Sequence, residues 1–371
     1  MSREPDGVAA RRTGMRAVLA LVVLLGLGSA CGDAPPEAPP SAAGKGWGRL
    51  PDGPLAARTG ATVVGIDDLA YVFGGSEFTC PPNADCGGPV TPPFADGAVV
   101  DLGTGAWSSM ADAPFGFEHA SAAVVDGDIY VRAERRLLRY APDEDAWTDL
   151  GTPPRGIGSA TLVATEHGLL GLSPVSGVHA VYDARRESWT RLPEEPFGGS
   201  YDRFAVPDGD RVLVFASPTG PPDEGALTKL VAAYDFGAGT WTELAASDAG
   251  GYQAWGIGDR VFINPHFSKD GGGLFDLVTG TWSDIPDEGS GWTGDAAGVV
   301  SDDGATYEYD AGWVFDARDD GWLEVPERRG EVYDESIGSV GQALVVFGGQ
   351  RFTRNETLLV DEAWVWRPPV S

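Results

Sequence analysis

Tyr234-Asp235-Phe236-Gly237-Ala238-Gly239-Thr240-Trp241-Thr242-Glu243-Leu244 is one copy of a phrase that recurs along the chain. Five further copies run from Asp101 to Trp107, Ala141 to Trp147, Asp183 to Trp189, Asp276 to Trp282 and Asp316 to Trp322. In every copy Trp stands six residues after the first position, which is Asp in five of them and usually follows Tyr or Phe. Successive tryptophans lie 40, 42, 52, 41 and 40 residues apart, a period that belongs to repeat architectures. The phrase is structural chemistry: Asp and Gly make a turn between two strands, and the alternation Trp-Thr-x-Leu places Trp and Leu on one buried face.

Outward from the phrase, each unit offers two more strands, a small-residue one and then a β-rich one, joined by a Gly or Asp turn. They read at 120–125 with 128–131, 60–65 with 69–73, 204–206 with 211–215, 254–257 with 260–263, and 337–340 with 343–347. Small residues suit strands crowded around an axis. Trp47-Gly48-Arg49-Leu50-Pro51 carries the downstream half of the phrase with no strand before it. The last strand, 360–367, has no Trp-x-x-Leu strand after it. The two incomplete ends fit each other: the N-terminal segment is expected to supply the outer strand of the last unit, which removes both open sheet edges. The reading is an all-β, seven-bladed propeller over 44–371, with about 47 residues to each blade, near the ~50 of such repeats.

Phe73-Gly74-Gly75 and Phe347-Gly348-Gly349 end second strands with a glycine pair, and with the tryptophan phrase they make the chain resemble Kelch-repeat propellers, including the central domain of galactose oxidase. The resemblance covers roughly 44–367; the middle units carry Ala216-Ser217 and Asn264-Pro265 where the glycine pair would stand. The endings and openings of WD40 units are missing. The resemblance implies a ring whose blade-to-blade connections and second-to-third-strand loops gather on one face, where ligands bind.

Composition agrees with many short turns around large buried rings: 53 Gly, 28 Pro and 12 Trp in 371 residues. With 26 Lys+Arg against 55 Asp+Glu the net charge is −29, which disfavours nucleic acid and anionic lipid headgroups. Residues 1–30 read as an export signal: Arg11, Arg12 and Arg16 precede an apolar run at 17–28 that is too short to span a bilayer, which needs ~20 apolar residues. Leu27-Gly28-Ser29-Ala30-Cys31 resembles a bacterial lipoprotein signal, implying a lipidated Cys31, although Gly28 stands where Leu is usual. Met15 offers a second start, and Thr13-Gly14 after the arginine pair argues against twin-arginine export. Residues 31–43, rich in Pro and Ala, form a tether. The protein is therefore expected outside the cytoplasmic membrane, lipid-anchored at the cell surface or periplasmic face, as a monomer. Cys80 and Cys86 are expected to form a disulfide, since the four histidines are scattered and a metal site would need more ligands nearby.

The long excursions at 76–94, 217–227 and 350–357 all fall in the second-to-third-strand position, on the expected ligand face. The blade connections add Arg58, Glu118, His119, Arg155, Tyr201, Asp202, Arg203, Tyr252, Trp255, Trp292, Asp295, Tyr333 and Asp334, rings beside carboxylates and arginines that suit a polar ligand. His119 stands where Kelch units often carry a histidine opening the inner strand. Trp255 and Trp292 lie outside the repeated tryptophan position, so inner-wall packing and ligand stacking both remain open. The preferred function is a binding or interaction module for a glycan, peptide or protein partner. The alternative is a carbohydrate-active enzyme such as a sugar mutarotase or epimerase, with Glu118 and His119 or Asp202 and Arg203 as acid and base. A copper-radical oxidase is disfavoured, because its cysteine cross-linked to tyrosine has no candidate outside the Cys80/Cys86 pair and no two histidines lie in a ligand-like pattern; the motifs of serine hydrolases, zinc proteases and phosphate loops are missing, and the acidic pairs Asp302-Asp303 and Asp319-Asp320 lack a calcium-loop spacing. No cofactor or metal is expected. The mature protein is expected to partition into detergent, and Cys31→Ala to move it to the aqueous phase; unchanged partitioning removes the anchor.

Overall fold

The structure, a computed structural model, describes residues 46–79, 91–157, 160–219, 228–247, 251, 254–264, 272–286, 298–301, 304–307, 313–317, 319–326, 328, 332–353 and 356–369. The signal, the tether, Cys31, Cys80, Cys86, Tyr252, Trp292 and Asp295 lie outside the described residues. Among the described residues there is one 3-10 turn, Pro142–Glu144, and no helix long and apolar enough to cross a membrane.

The rest is strand. After β1 (Gly48–Arg49), a first sheet is built from β2 (Thr59–Ile66), β3 (Leu69–Ser76), β4 (Gly97–Asp101) and β5 (Trp107–Ser109). The second holds β6 (Ser121–Val125), β7 (Asp128–Ala133), β8 (Arg136–Ala141) and β9 (Ala146–Asp149). The third holds β10 (Thr161–Thr165), β11 (Gly168–Leu172), β12 (His179–Asp183) and β13 (Ser188–Arg191). The fourth holds β14 (Ser200–Asp208), β15 (Arg211–Pro218), β16 (Lys229–Asp235) and β17 (Thr240–Ser247). The fifth holds β18 (Ala254–Ile257), β19 (Arg260–Ile263), β20 (Gly273–Asp276) and β21 (Trp282–Ser283). The sixth holds β22 (Gly298–Ser301), β23 (Gly304–Tyr307), β24 (Trp313–Asp316) and β25 (Gly321–Glu324). Last come β26 (Ser336–Val340), β27 (Ala343–Phe347), the hairpin β28 (Gln350–Phe352) and β29 (Thr357–Leu359), and β30 (Ala363–Trp366). The final sheet has the order β1-β30-β27-β26, with Gly48 opposite Val365 and Arg49 opposite Trp364.

Four-stranded antiparallel sheets of this kind are consistent with a β-propeller. The sixth sheet departs from the pattern: its order is β23-β22-β24-β25, and β22 runs parallel to β24. The fourth departs more mildly. Its first strand, expected at 204–206, begins at Ser200, because a register irregularity between Tyr201 and Phe204 lets the chain bend without leaving the sheet.

Second strands such as Val212-Leu213-Val214-Phe215 and Leu344-Val345-Val346-Phe347 are apolar at every position because neighbouring sheets cover both of their faces. One cluster joins the first and seventh sheets through Val72, Val100, Val345, Phe347 and Val365. Tyr71, Phe73, Ile129 and Tyr140 join the first and second; Tyr130, Leu169 and Tyr182 the second and third; Leu170, Val181, Val212 and Tyr234 the third and fourth. Phe215 with Phe275, Phe262 with Phe315, and Val314 with Leu344 and Trp366 continue the series. Where β2 meets β26 the backbones nearly touch: a Cβ on Gly65 would lie 2.3 Å from the Ser339 carbonyl oxygen, and one on Gly338 would lie 2.5 Å from that of Val63. Only glycine fits there.

The phrase does its work at the outer edge. Asp101 Oδ1 accepts the N–H groups of Gly103 and Thr104, Asp183 those of Arg185 and Arg186, and Asp276 those of Val278 and Thr279, closing each turn. These backbone hydrogen bonds hold all three carboxyls below the usual aspartate range. Beyond the turn, the Trp107 indole N–H donates to Pro51 O at 2.9 Å, that of Trp147 to Ala111 O at 2.9 Å and that of Trp241 to Pro193 O at 2.8 Å. Trp282 reaches Ala245 O at 2.9 Å, Trp322 reaches Pro286 O at 3.1 Å, and Trp47 reaches Pro326 O at 2.7 Å. Each acceptor lies four residues beyond the tryptophan of the preceding sheet. Trp189 packs across Gly171, where a Cβ would come within 3.1 Å of its ring.

Trp147 shows both parts of the contribution, since its ring also packs 5.1 Å from Tyr140 and 5.6 Å from Phe73. Trp147→Ala is expected to cost about 3–5 kcal/mol in a urea titration. Trp147→Phe, which keeps an aromatic ring and loses the donor, is expected to cost about 1 kcal/mol.

Candidate functional site

Four residues at the entries to innermost strands have left-handed backbones: Gly60 (φ 65°), His119 (φ 48°), Asp202 (φ 47°) and Asp334 (φ 53°). Side chains rarely adopt this conformation, and Asp and His tolerate it better than most. The repeated kink turns the chain as it enters each sheet and sets the candidate residues Glu118-His119, Tyr201-Asp202 and Tyr333-Asp334 along one end of the sheets. His119 is exposed, its N–H donates to Gly60 O at 2.8 Å, and its ring lies so close over Gly60 that a Cβ there would sit 2.8 Å from Nε2.

The glycine pairs make the neighbouring contact possible. Gly75 N–H donates to Phe117 O at 2.7 Å, and Gly349 N–H donates to Arg58 O at 2.9 Å, so the last sheet grips the segment entering the first as the first grips the segment entering the second. At Gly74 and Gly348 a Cβ would fall 2.6 and 2.4 Å from those same two oxygens.

Two of the predicted ligand-holding arginines are turned inward. Arg58 is fully buried: its guanidinium bonds Asp96 through Nη1 at 2.7 Å and Nη2 at 3.0 Å, reaches Gly74 O and Ala56 O, and lies 4.1 Å from the Phe94 ring centre. Arg203 donates from Nε to Glu195 Oε1 at 2.6 Å and from Nη1 to Ser200 O at 2.6 Å. Glu118 accepts the Ser76 hydroxyl and is half-buried, and Asp334 accepts from the Gln350 side chain. Arg155 is exposed, and its carbonyl accepts from the Arg191 guanidinium at 2.6 Å. Trp255 is only 6% exposed and packs on Phe262 at 5.7 Å, a core position. The outward rings are Tyr201, 45% exposed, and Tyr333, 43% exposed, the latter 5.0 Å from Phe352 of the β28–β29 hairpin.

Sequence reasoning passed over a buried network behind this rim. His179 Nε2 meets Glu195 Oε2 at 2.8 Å, and Glu195 also holds Arg203, with all three side chains enclosed. Burial raises the Glu195 carboxyl, and the hydrogen bonds from His179 and Arg203 outweigh it, leaving the group below the usual range. Lys229, 2% exposed, was passed over too; its Nζ donates to Ser217 Oγ at 2.7 Å, and burial pushes the amine down to about 8 against an upward pull from Asp202. A lysine opening an otherwise apolar strand was the available signal. A cavity of about 660 Å³ lies at the opposite end of the second to fourth sheets, lined by Val124, Asp126, Glu166, His167, Arg185 and Pro207 among others. Among the described residues no group of three or more His, Cys, Asp or Glu is placed to hold a metal ion.

No family model matches the chain. Over 119 residues it is 30% identical to the Kelch-like protein terF of Aspergillus terreus (strain NIH 2624 / FGSC A1156), covering 25% of this chain and 26% of that protein. That likeness supports a Kelch-repeat propeller. The chain spans about a quarter of the length of this curated relative. A solved structure titled as that of YjhT aligns over 84% of this chain and 99% of its own, at 13% identity and a TM-score of 0.43.

Glu195→Gln leaves Arg203 buried without its countercharge and is expected to cost about 3 kcal/mol at pH 7. Because the folded carboxyl titrates below its unfolded value of about 4.3, the stability it contributes is complete above that value and is lost as pH falls towards the folded one. Urea titrations at pH 7 and pH 3.5 are therefore expected to show a smaller gap between variant and wild type at the lower pH.

Proposed function

We propose that the chain is a seven-bladed Kelch-type propeller, closed by β1 in the last blade, that acts as an extracytoplasmic binding module for a glycan, peptide or protein partner. The observation that carries this reading is the indole relay, in which Trp47, next to the first strand, reaches Pro326 behind the sixth sheet as Trp107, Trp147, Trp241, Trp282 and Trp322 reach their own neighbours. A ring built this way brings the entries to all innermost strands to one rim. There the arginines Arg58 and Arg203 are committed to the scaffold, while Tyr201 and Tyr333 stand outward with aspartates beside them. Exposed tyrosines give large contact area at small conformational cost. The lipid on Cys31 and the tether at 31–43 would hold this rim away from the membrane, with the Cys80–Cys86 disulfide bracing one of its loops.

A peptide and glycan array is expected to return a selective set of ligands. The double variant Tyr201→Ala/Tyr333→Ala is expected to weaken those by at least tenfold while leaving the melting temperature within a few degrees of wild type. Binding that survives the double variant unchanged would place the partner surface elsewhere.

A further inference from the structure

Ser217 lies near the end of β15 and Lys229 opens β16, so the two flank one connection at the rim of the fourth sheet. Lys229 is enclosed, with its Nζ 5.3 Å from the Phe204 ring centre and 2.7 Å from Ser217 Oγ. Ser217 is half-buried, and its cross-strand neighbour is the exposed Tyr201. An enclosed amine against the hydroxyl of a half-buried serine is the order in which a lysine can take the proton of a serine nucleophile. We propose that Ser217 and Lys229 are a nucleophile–base dyad that hydrolyses small, unhindered esters beside Tyr201. The dyad is a separate activity and does not depend on the binding of a partner.

In the first step Ser217 Oγ attacks the acyl carbon while its proton passes to the neutral amine of Lys229. The ester C–O bond then breaks, and the departing alcohol takes that proton from Nζ. Water attacks the acyl-serine in turn, gives its proton to Nζ, and the proton returns to Ser217 Oγ as the carboxylic acid leaves. Ester and water become acid and alcohol, and no other reactant is needed. The amine titrates at about 8, so the working, neutral form grows as pH rises through that value. Asp202 opposes this by favouring the ammonium, which makes it a positioning residue of the pair.

The test uses the full chain with a fluorophosphonate probe and p-nitrophenyl acetate. Expected are labelling at Ser217, a loss of at least tenfold in both readouts for Ser217→Ala, and the same loss for Lys229→Arg, whose guanidinium keeps the charge and gives up no proton. Asp202→Asn is expected to move the midpoint of the pH–rate profile to lower pH, a change that a structural role for Lys229 alone does not produce. Wild type that labels no more than Ser217→Ala overturns the proposal, and so does a pH profile that Asp202→Asn leaves in place. If Lys229→Arg fails to fold, those two comparisons still decide the matter.

Discussion

The fold depends on one hydrogen bond made six times over: an indole N–H at the start of an outer strand reaching a backbone carbonyl four residues beyond the tryptophan of the preceding sheet. Each bond is worth only about 1 kcal/mol by itself. Its importance lies in where it acts. A tryptophan is a side chain large enough to pack between neighbouring outer strands while carrying a donor at its tip. Packing alone would leave neighbouring sheets free to slide along one another. The bond sets their register, because the donor can reach one carbonyl and not the next.

At the inner edge the opposite constraint holds. Gly65 and Gly338 sit where a single extra carbon would collide with a facing carbonyl, so the first and last sheets approach as closely as backbone permits. Bulky indoles at the outer strands and backbone contact at Gly65 and Gly338 are thus the two extremes of how neighbouring sheets meet. The kinked entries follow from the same crowding: the chain must turn sharply to begin an innermost strand, and Gly60, His119, Asp202 and Asp334 do so with left-handed backbones.

What was legible in the sequence tracks this division. The outer phrase could be read because Asp, Gly and Trp each have one role there, and the pairing of β1 with β30 followed from the two incomplete ends. The innermost strands of the third and sixth sheets were harder: Thr161–Thr165 lacks the polar–apolar alternation of a half-buried strand, and the exchange of β22 and β23 has no counterpart in the phrase. Site residues were harder still. Arg58 and Glu118 stand just before their strands, Arg203 and Tyr201 near the start of theirs, and position along the chain says nothing about direction. Arg58 turns inward because Asp96 awaits it 38 residues later, and Arg203 because Glu195 lies on the turn before it. Trp255 was singled out for standing outside the phrase, and it is buried against Phe262 for a reason local to the fifth sheet.

The acceptors of the indole relay explain how such a scaffold can drift in sequence and keep its shape. Four of the six are carbonyls of proline: Pro51, Pro193, Pro286 and Pro326. A proline has no N–H to leave unpaired in the connection between sheets, while its carbonyl stays available as an acceptor. Because the acceptor is backbone, any residue holding the same path can serve, as Ala111 and Ala245 do. The donor has no such substitute. The sheets are thus held by their shared apolar clusters and by a few side chains at the outer edge, and the loops of the rim can change length without disturbing those contacts.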